Sequence, residues 1–209
     1  MIWVYGICDR PDTPAPRADG LGQSPLEGVR EGELLAAVSR HDDLPEDPVL
    51  DALWIHELVI ERLMTDRAVL PMRFGTKFAD DDALHEVLAG RQQEFLTALD
   101  RVRGRVELGI RALQPHEAQH VATPVSGRAY LESKLRDGRE AAALHEPLAA
   151  LAAASTRHAA RPDELLRASY LVDTEAVPRF RATVERLQRN DADVAVLCTG
   201  PWPPYSFTT

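Results

Sequence analysis

The sequence is short of several features that would make its chemistry easy to name. Cysteine occurs twice in 209 residues, at Cys8 and Cys198. Two thiols cannot supply a structural zinc site by themselves, and both are expected as free thiols buried in strands, as suits a reducing compartment. No apolar run approaches the ~18–20 residues that span a bilayer. The opening MIWVYGICDR lacks the basic start and long apolar stretch of a secretion signal, so a cytoplasmic protein without a lipid-membrane partner is expected. Positive charge is also scarce: 24 lysines and arginines face 33 aspartates and glutamates, and lysine occurs only at Lys77 and Lys134. Phosphate recognition needs a concentrated basic patch, so nucleic acid is not an expected partner; the acidity favours solubility. Gly20-Leu21-Gly22 lacks the third glycine of a phosphate-cradling loop and does not join a strand to a helix. No G-x-S-x-G elbow occurs. No cofactor is implied.

What is present is ordinary globular material. A hydrophobic content of 44% beside 27% charged residues excludes wholesale disorder, and the length allows two small cores or one large one. Ile2 to Ile7 is aromatic and β-branched, which suits a strand. Prolines and glycines from Pro11 to Glu27 mark a loop. Gly32 to Arg40 reads as a second strand, although its Leu-Leu-Ala-Ala centre also tolerates helix. Pro48 suits a helix first turn; from there Val49, Leu53, His56, Ile60 and Leu63 recur at helical spacing as a buried stripe, ending near Asp66. Asp80-Asp81-Asp82 marks a helix start, with Leu84, Val87 and Leu88 on one face. Phe95, Leu96, Leu99 and Val102 resume that face after Gly90, which divides the segment in two.

Gly104 is the candidate domain boundary. Beyond it, Val106, Leu108, Ile110 and Ala112 alternate with polar or small residues as a strand. A long helix follows from Ser126 to Ala153, broken near Pro147, then a strand between Ser155 and Arg161. Leu166, Ala168, Tyr170 and Val172 form a further strand, Val177 to Leu187 a helix with Pro178 in its first turn, and Val194 to Cys198 a last strand. The expected fold class is therefore α+β in two domains. Residues 1–103 form a small α+β domain, and residues 104–209 a βαββαβ, ferredoxin-like domain with a proline- and aromatic-rich tail.

His116-Glu117-Ala118-Gln119-His120 fits the H-E-x-x-H pattern that places two imidazoles on one helical face for zinc hydrolysis. Pro115 and Pro124 leave it two turns at most, so a solvated loop is the reading and metal catalysis the alternative. His56 lies on the apolar stripe of its helix, either as a buried histidine bonded to a carbonyl or as a partner contact. Two stretches stand out. Val69-Leu70-Pro71-Met72-Arg73-Phe74-Gly75-Thr76-Lys77-Phe78 packs apolar side chains, a proline, an arginine and a glycine into a tight junction. Gly200-Pro201-Trp202-Pro203-Pro204-Tyr205-Ser206-Phe207 sets aromatics on a stiff, polyproline-like course. Such a tail either folds over its own core or offers rigid anchors to a partner.

Trp54-Ile55-His56-Glu57 followed by VLPMRFGTKF, then Ser126-Gly127-Arg128-Ala129-Tyr130-Leu131 and the closing GPWPPYSF, resembles the GvpF/GvpL family of gas vesicle proteins. The resemblance runs from GELLAAVSRHDDLP to the end. Lys77 departs from the family pattern, which usually has an apolar residue there. The resemblance implies an accessory protein of gas vesicle assembly that is not an enzyme and is associated with gas vesicles. Its partners would be the hydrophobic shell protein and other accessory proteins. The density of apolar residues at the junction around Arg73 and Phe74 makes that part of the N-terminal domain the expected docking patch. The expected partner-binding residues are His56, Leu70, Pro71, Arg73, Phe74, Gly75, Trp202, Pro203, Pro204, Tyr205 and Phe207. A small-molecule-binding regulatory module is a further alternative, because ferredoxin-like folds host many functions.

Overall fold

The computed structural model describes residues 1–16, 18–42, 50–113, 127–161, 163–190 and 194–208. The chain divides into two compact units, Met1–Gly104 with Pro203–Thr209, and Arg105–Trp202. It is a mixed α+β protein built on two antiparallel sheets.

The first unit contains β1 (Ile2–Cys8), β2 (Glu27–Glu31), β3 (Leu34–Arg40), α1 (Leu50–Leu63), β4 (Val69–Pro71), β5 (Lys77–Phe78), α2 (Asp81–Gly90) and α3 (Gln92–Val102). Its sheet runs β2-β3-β1-β4, with β5 also pairing with β1. Every residue of β1, and β3 from Leu34 to Ser39, is buried, so both faces of the sheet are covered. Trp3, Tyr5, Leu35 and Ala37 pack with Val59, Ile60 and Leu63 of α1. Alternation sends Leu34, Ala36 and Val38 to the opposite face, and α2 and α3 pack against β2, β5 and β4. The register shifts between Val4 and Gly6. Gly6 lets β4 approach: a Cβ there would lie 2.8 Å from Val69 Cγ1 and 3.2 Å from the Leu70 carbonyl.

β2 is a strand in a stretch that the sequence leaves unassigned, meeting the expected loop only at Glu27. Its Glu-Gly-Val-Arg-Glu carries no apolar alternation because it is an edge strand with Val29 alone buried. Asp80 caps α2 by accepting from the Ala83 N–H at 2.9 Å, and Gly90 ends that helix before α3 begins at Gln92. Pro48 and Val49 lie outside the described residues.

The second unit runs β6 (Arg105–Leu113), α4 (Gly127–Ala149), β7 (Ala154–Arg157), β8 (Glu164–Asp173), α5 (Val177–Asn190) and β9 (Ala195–Trp202). Its strands lie in the order β7-β8-β6-β9. Leu108, Ile110 and Ala112 of β6 and Leu166, Ala168, Tyr170 and Val172 of β8 share one core with Leu144 and Leu148 of α4 and Phe180 and Val184 of α5. Pro147 does not break α4 in two; it sits in the last turn, two residues before the helix ends at Ala149. β9 extends to Trp202, beyond the expected end at Cys198. His116-Glu117-Ala118-Gln119-His120 and Ser126 lie outside the described residues.

The tail departs from the division at Gly104. Pro203, Pro204 and Phe207 are buried, Tyr205 packs on the α1 side of the first unit's core, and Tyr205–Phe207 forms a 3-10 turn against α3. Apolar side chains hold the segment there, so its last seven residues belong with the first unit.

Candidate docking site

α1 has two unlike sides. Its inner side presents His56, Val59, Ile60 and Leu63, all buried. His56 Nδ1 accepts from Trp3 Nε1 at 3.1 Å; Nε2 therefore carries the proton and donates to the Met72 carbonyl at 2.9 Å. Burial holds the imidazole pKa below its ordinary value, against the Met72 bond that raises it. The ring meets Trp3, Tyr5 and Phe74 at centroid distances of 6.0, 5.3 and 5.6 Å.

The Val69–Phe78 stretch holds this cluster in place. Leu70 and Pro71 are buried in β4, and the Met72 N–H donates to the Tyr5 carbonyl at 2.8 Å. The chain then turns from Arg73 to Thr76, with the Thr76 N–H and hydroxyl both donating to the Arg73 carbonyl. Gly75 supplies the positive φ of +91° that the turn requires. Phe74 is half-buried, edge-on to Trp3 at 4.8 Å, while Arg73 and Gly75 are exposed. In the tail, the Tyr205 hydroxyl donates to Glu57 Oε2 of α1 at 2.8 Å. Trp202, in the second unit, is 42% exposed.

Of the expected contact residues, His56, Leu70, Pro71, Pro203, Pro204 and Phe207 are thus interior, Phe74 and Tyr205 half-buried, and Arg73, Gly75 and Trp202 exposed. The interior ones belong to the first unit's own packing.

The outer side of that helix is apolar and open. Leu50, Trp54 and Leu58 are 67%, 64% and 47% exposed, and four-residue spacing aligns them in one ridge. Leu53 stands beside them at 40% exposure, not on the buried stripe where its spacing places it. Asp51, Glu61 and Arg62 are the exposed charges of the same helix. A signal for this face was present: Leu50, Leu53, Trp54, Ile55, Leu58, Val59, Ile60 and Leu63 are more apolar residues than one buried stripe uses.

Among the described residues, no group of three or more His, Cys, Asp or Glu is placed to hold a metal. No described helix is long and apolar enough to cross a membrane. A cleft of about 670 Å³ in the first unit is lined by Asp9, Asp12, Arg30, Asp100 and Arg103 among others, but these charges pair with one another. Cys8 is buried, which pushes its thiol up to about 12 and leaves it unreactive.

The family described as Gas vesicle synthesis protein GvpL/GvpF matches residues 1–134 and 127–209. The chain belongs to this family. It is 32% identical to gas vesicle protein L of Streptomyces sp. (strain CB03234), over 99% of this chain and 92% of that protein. It is 29% identical to gas vesicle protein F2 of Halobacterium salinarum, over 99% and 91%. The crystal structure of gas vesicle protein GvpF from Anabaena sp. PCC7120 superposes with a TM-score of 0.82 at 19% identity, covering 100% of this chain and 98% of that one. GvpF from Microcystis aeruginosa gives 0.81 at 16% identity, with the same coverage. Membership of the GvpL/GvpF family associates the chain with gas vesicles, and the fold is the GvpF fold.

Proposed function

We propose that this chain is an accessory protein of gas vesicle assembly, acting in the cytoplasm and at the vesicle by binding other gas vesicle proteins. The hydrophobic shell subunit is its first partner. The outer face of α1 is the docking surface, with Arg73 and Gly75 exposed in the neighbouring turn of the same unit. The observation that carries the reading is the ridge of Leu50, Trp54 and Leu58 with Leu53 beside it, 40–67% exposed on a helix that already has a complete buried side.

The physical case is one of solubility. A shell subunit with a strongly apolar surface aggregates while it waits for assembly. An acidic carrier with an apolar helix face covers that surface and keeps the pair in solution. The second unit reads as ferredoxin-like: its βαββαβ order and β7-β8-β6-β9 arrangement support that reading. The first unit carries the binding.

Co-expression with the shell subunit tests this. Wild-type chain is expected to co-purify with the subunit, and Trp54→Asp combined with Leu58→Asp to release it while unfolding at an unchanged temperature. Undiminished capture by the folded double variant overturns the assignment of α1. Loss of pressure-collapsible, light-scattering vesicles on deletion of the gene tests the assembly role itself.

A further inference from the structure

Among the described residues, the buried side-chain atom without a hydrogen-bond partner is Oε1 of Glu57. Its companion Oε2 accepts from the hydroxyl of Tyr205, 148 residues away in sequence. An ionised carboxylate offers about four acceptor sites and is costly to bury with one oxygen unserved. Among the described residues, the groups acting on Glu57 include no lysine or arginine to offset the charge. The ionisable groups acting on Glu57 are Tyr205 from the tail and Glu61 one turn on along α1, and Glu61 repels a second negative charge. From the elements packed against α1, β1 presents Tyr5 and Cys8; β4 and the 3-10 turn Leu21–Gln23 present no ionisable side chain. Tyr5 is engaged with Ser39, and neighbouring His56 spends both ring nitrogens on Trp3 and Met72.

We propose that the Glu57–Tyr205 bond is a latch that is set when Glu57 is protonated, tying the tail to α1 and positioning that helix's docking face. The positioning role rests on the docking reading of α1; the protonation does not. A proton on Oε1 replaces a buried, unserved charge with a neutral hydroxyl, while Oε2 keeps the Tyr205 bond. Burial raises the pKa of both groups, and is the largest cause in each. The Tyr205 bond itself favours the ionised carboxylate and lowers the pKa, but burial outweighs it. The stability that neutral Glu57 confers on the docked tail is therefore whole below its unfolded value and is lost as pH rises through the folded value. Glu57 and Tyr205 are positioning residues, since the apolar ridge makes the contact.

The test uses the full chain alone and then with the shell subunit. Carbon-13 NMR of the side-chain carboxyls should give Glu57 a midpoint above the ordinary glutamate range. Hydrogen exchange at the Tyr205 and Phe207 amides, which are bonded to Pro203 and Pro204, should quicken as pH rises beyond the intrinsic trend. Glu57→Gln should remove that excess, and Tyr205→Phe should lower tail protection about 2- to 12-fold, as one hydrogen bond warrants. A Glu57 midpoint at or below the ordinary value, or an undiminished excess in Glu57→Gln, overturns the latch and leaves the docking reading standing. Normal shell-subunit capture by Trp54→Asp with Leu58→Asp overturns docking, and with it the positioning role, while the titration still decides the proton. Tyr205→Phe should weaken capture without touching the ridge; unchanged capture by this variant refutes positioning.

Discussion

The two sides of α1 are built from the same residue types and do opposite things. Inside, Val59, Ile60 and Leu63 are at most 1% exposed and His56 satisfies both nitrogens on Trp3 and Met72. Outside, Leu50, Leu53, Trp54 and Leu58 meet solvent. Apolar residues on the inner side are explained by burial, which stabilises the fold by about 1.5–3 kcal/mol for each large side chain. Those on the outer side gain nothing of that kind. A contiguous exposed apolar surface is the informative case, because single exposed leucines are normal and a ridge of them is not. The comparison therefore separates residues kept for the fold from residues kept for something else.

The largest effect should come from the inner side. Leu63→Ala removes a fully buried side chain and is expected to cost about 2–5 kcal/mol, read as a lower denaturation midpoint with unchanged slope. His56→Phe keeps most of the ring contacts but strands Trp3 Nε1 and the Met72 carbonyl. About 1–3 kcal/mol for each unmet group sets the scale. A neutral result there would break the comparison, since the inner side would then not depend on its polar centre.

How much of this was legible follows from which interactions are local. The alternation in β6 and β8, the Asp80 cap and the break at Gly90 are written within a few residues, and sequence reading finds them. β2 is not, because an edge strand needs one buried side chain and Glu-Gly-Val-Arg-Glu offers no pattern. The tail's place is illegible for a different reason. Pro203, Pro204 and Phe207 are buried and Tyr205 packs on a core whose other members lie at the far end of the chain, and no spacing rule spans that distance. The same limit governs the site. Aromatic density drew attention to Val69–Phe78 and to the tail, which proved largely interior, whereas Trp54 stood in the sequence only as part of a family motif. Periodicity counts apolar residues on a helix; it does not say which of two apolar sides the sheet will cover.

The pH dependence sharpens the inner side further. His56 is held neutral by burial, so its folded pKa lies below its unfolded one. The unfolded chain then binds the extra proton first, and the stability this group confers is whole above about 6.5 and is lost as pH falls below it. Glu164 in the second unit, held below its ordinary value by the Arg161 N–H and by Arg111, adds a second loss only below about 4.5. Denaturation measured from pH 8 to about pH 3 should show the first loss shrink in His56→Phe, with the remainder coming from His41 and His145, which burial also holds low, and the second remain. If the first loss is undiminished in that variant, His56 does not titrate as its burial requires.

The smallest stability change should come from the outer side, and its smallness is the point. Leu53→Asn, Trp54→Asn and Leu58→Asn alter side chains that are already 40–64% exposed, so each is expected to move stability by about 0.5 kcal/mol or less. A polar residue on a solvated helix face can even improve solubility by shrinking the apolar patch. Should any of the three cost as much as Leu63→Ala, the outer ridge is structural and the contrast between the two sides fails. If all three leave the denaturation curve in place while capture of the shell subunit falls, the residues are dispensable to the fold and needed for binding.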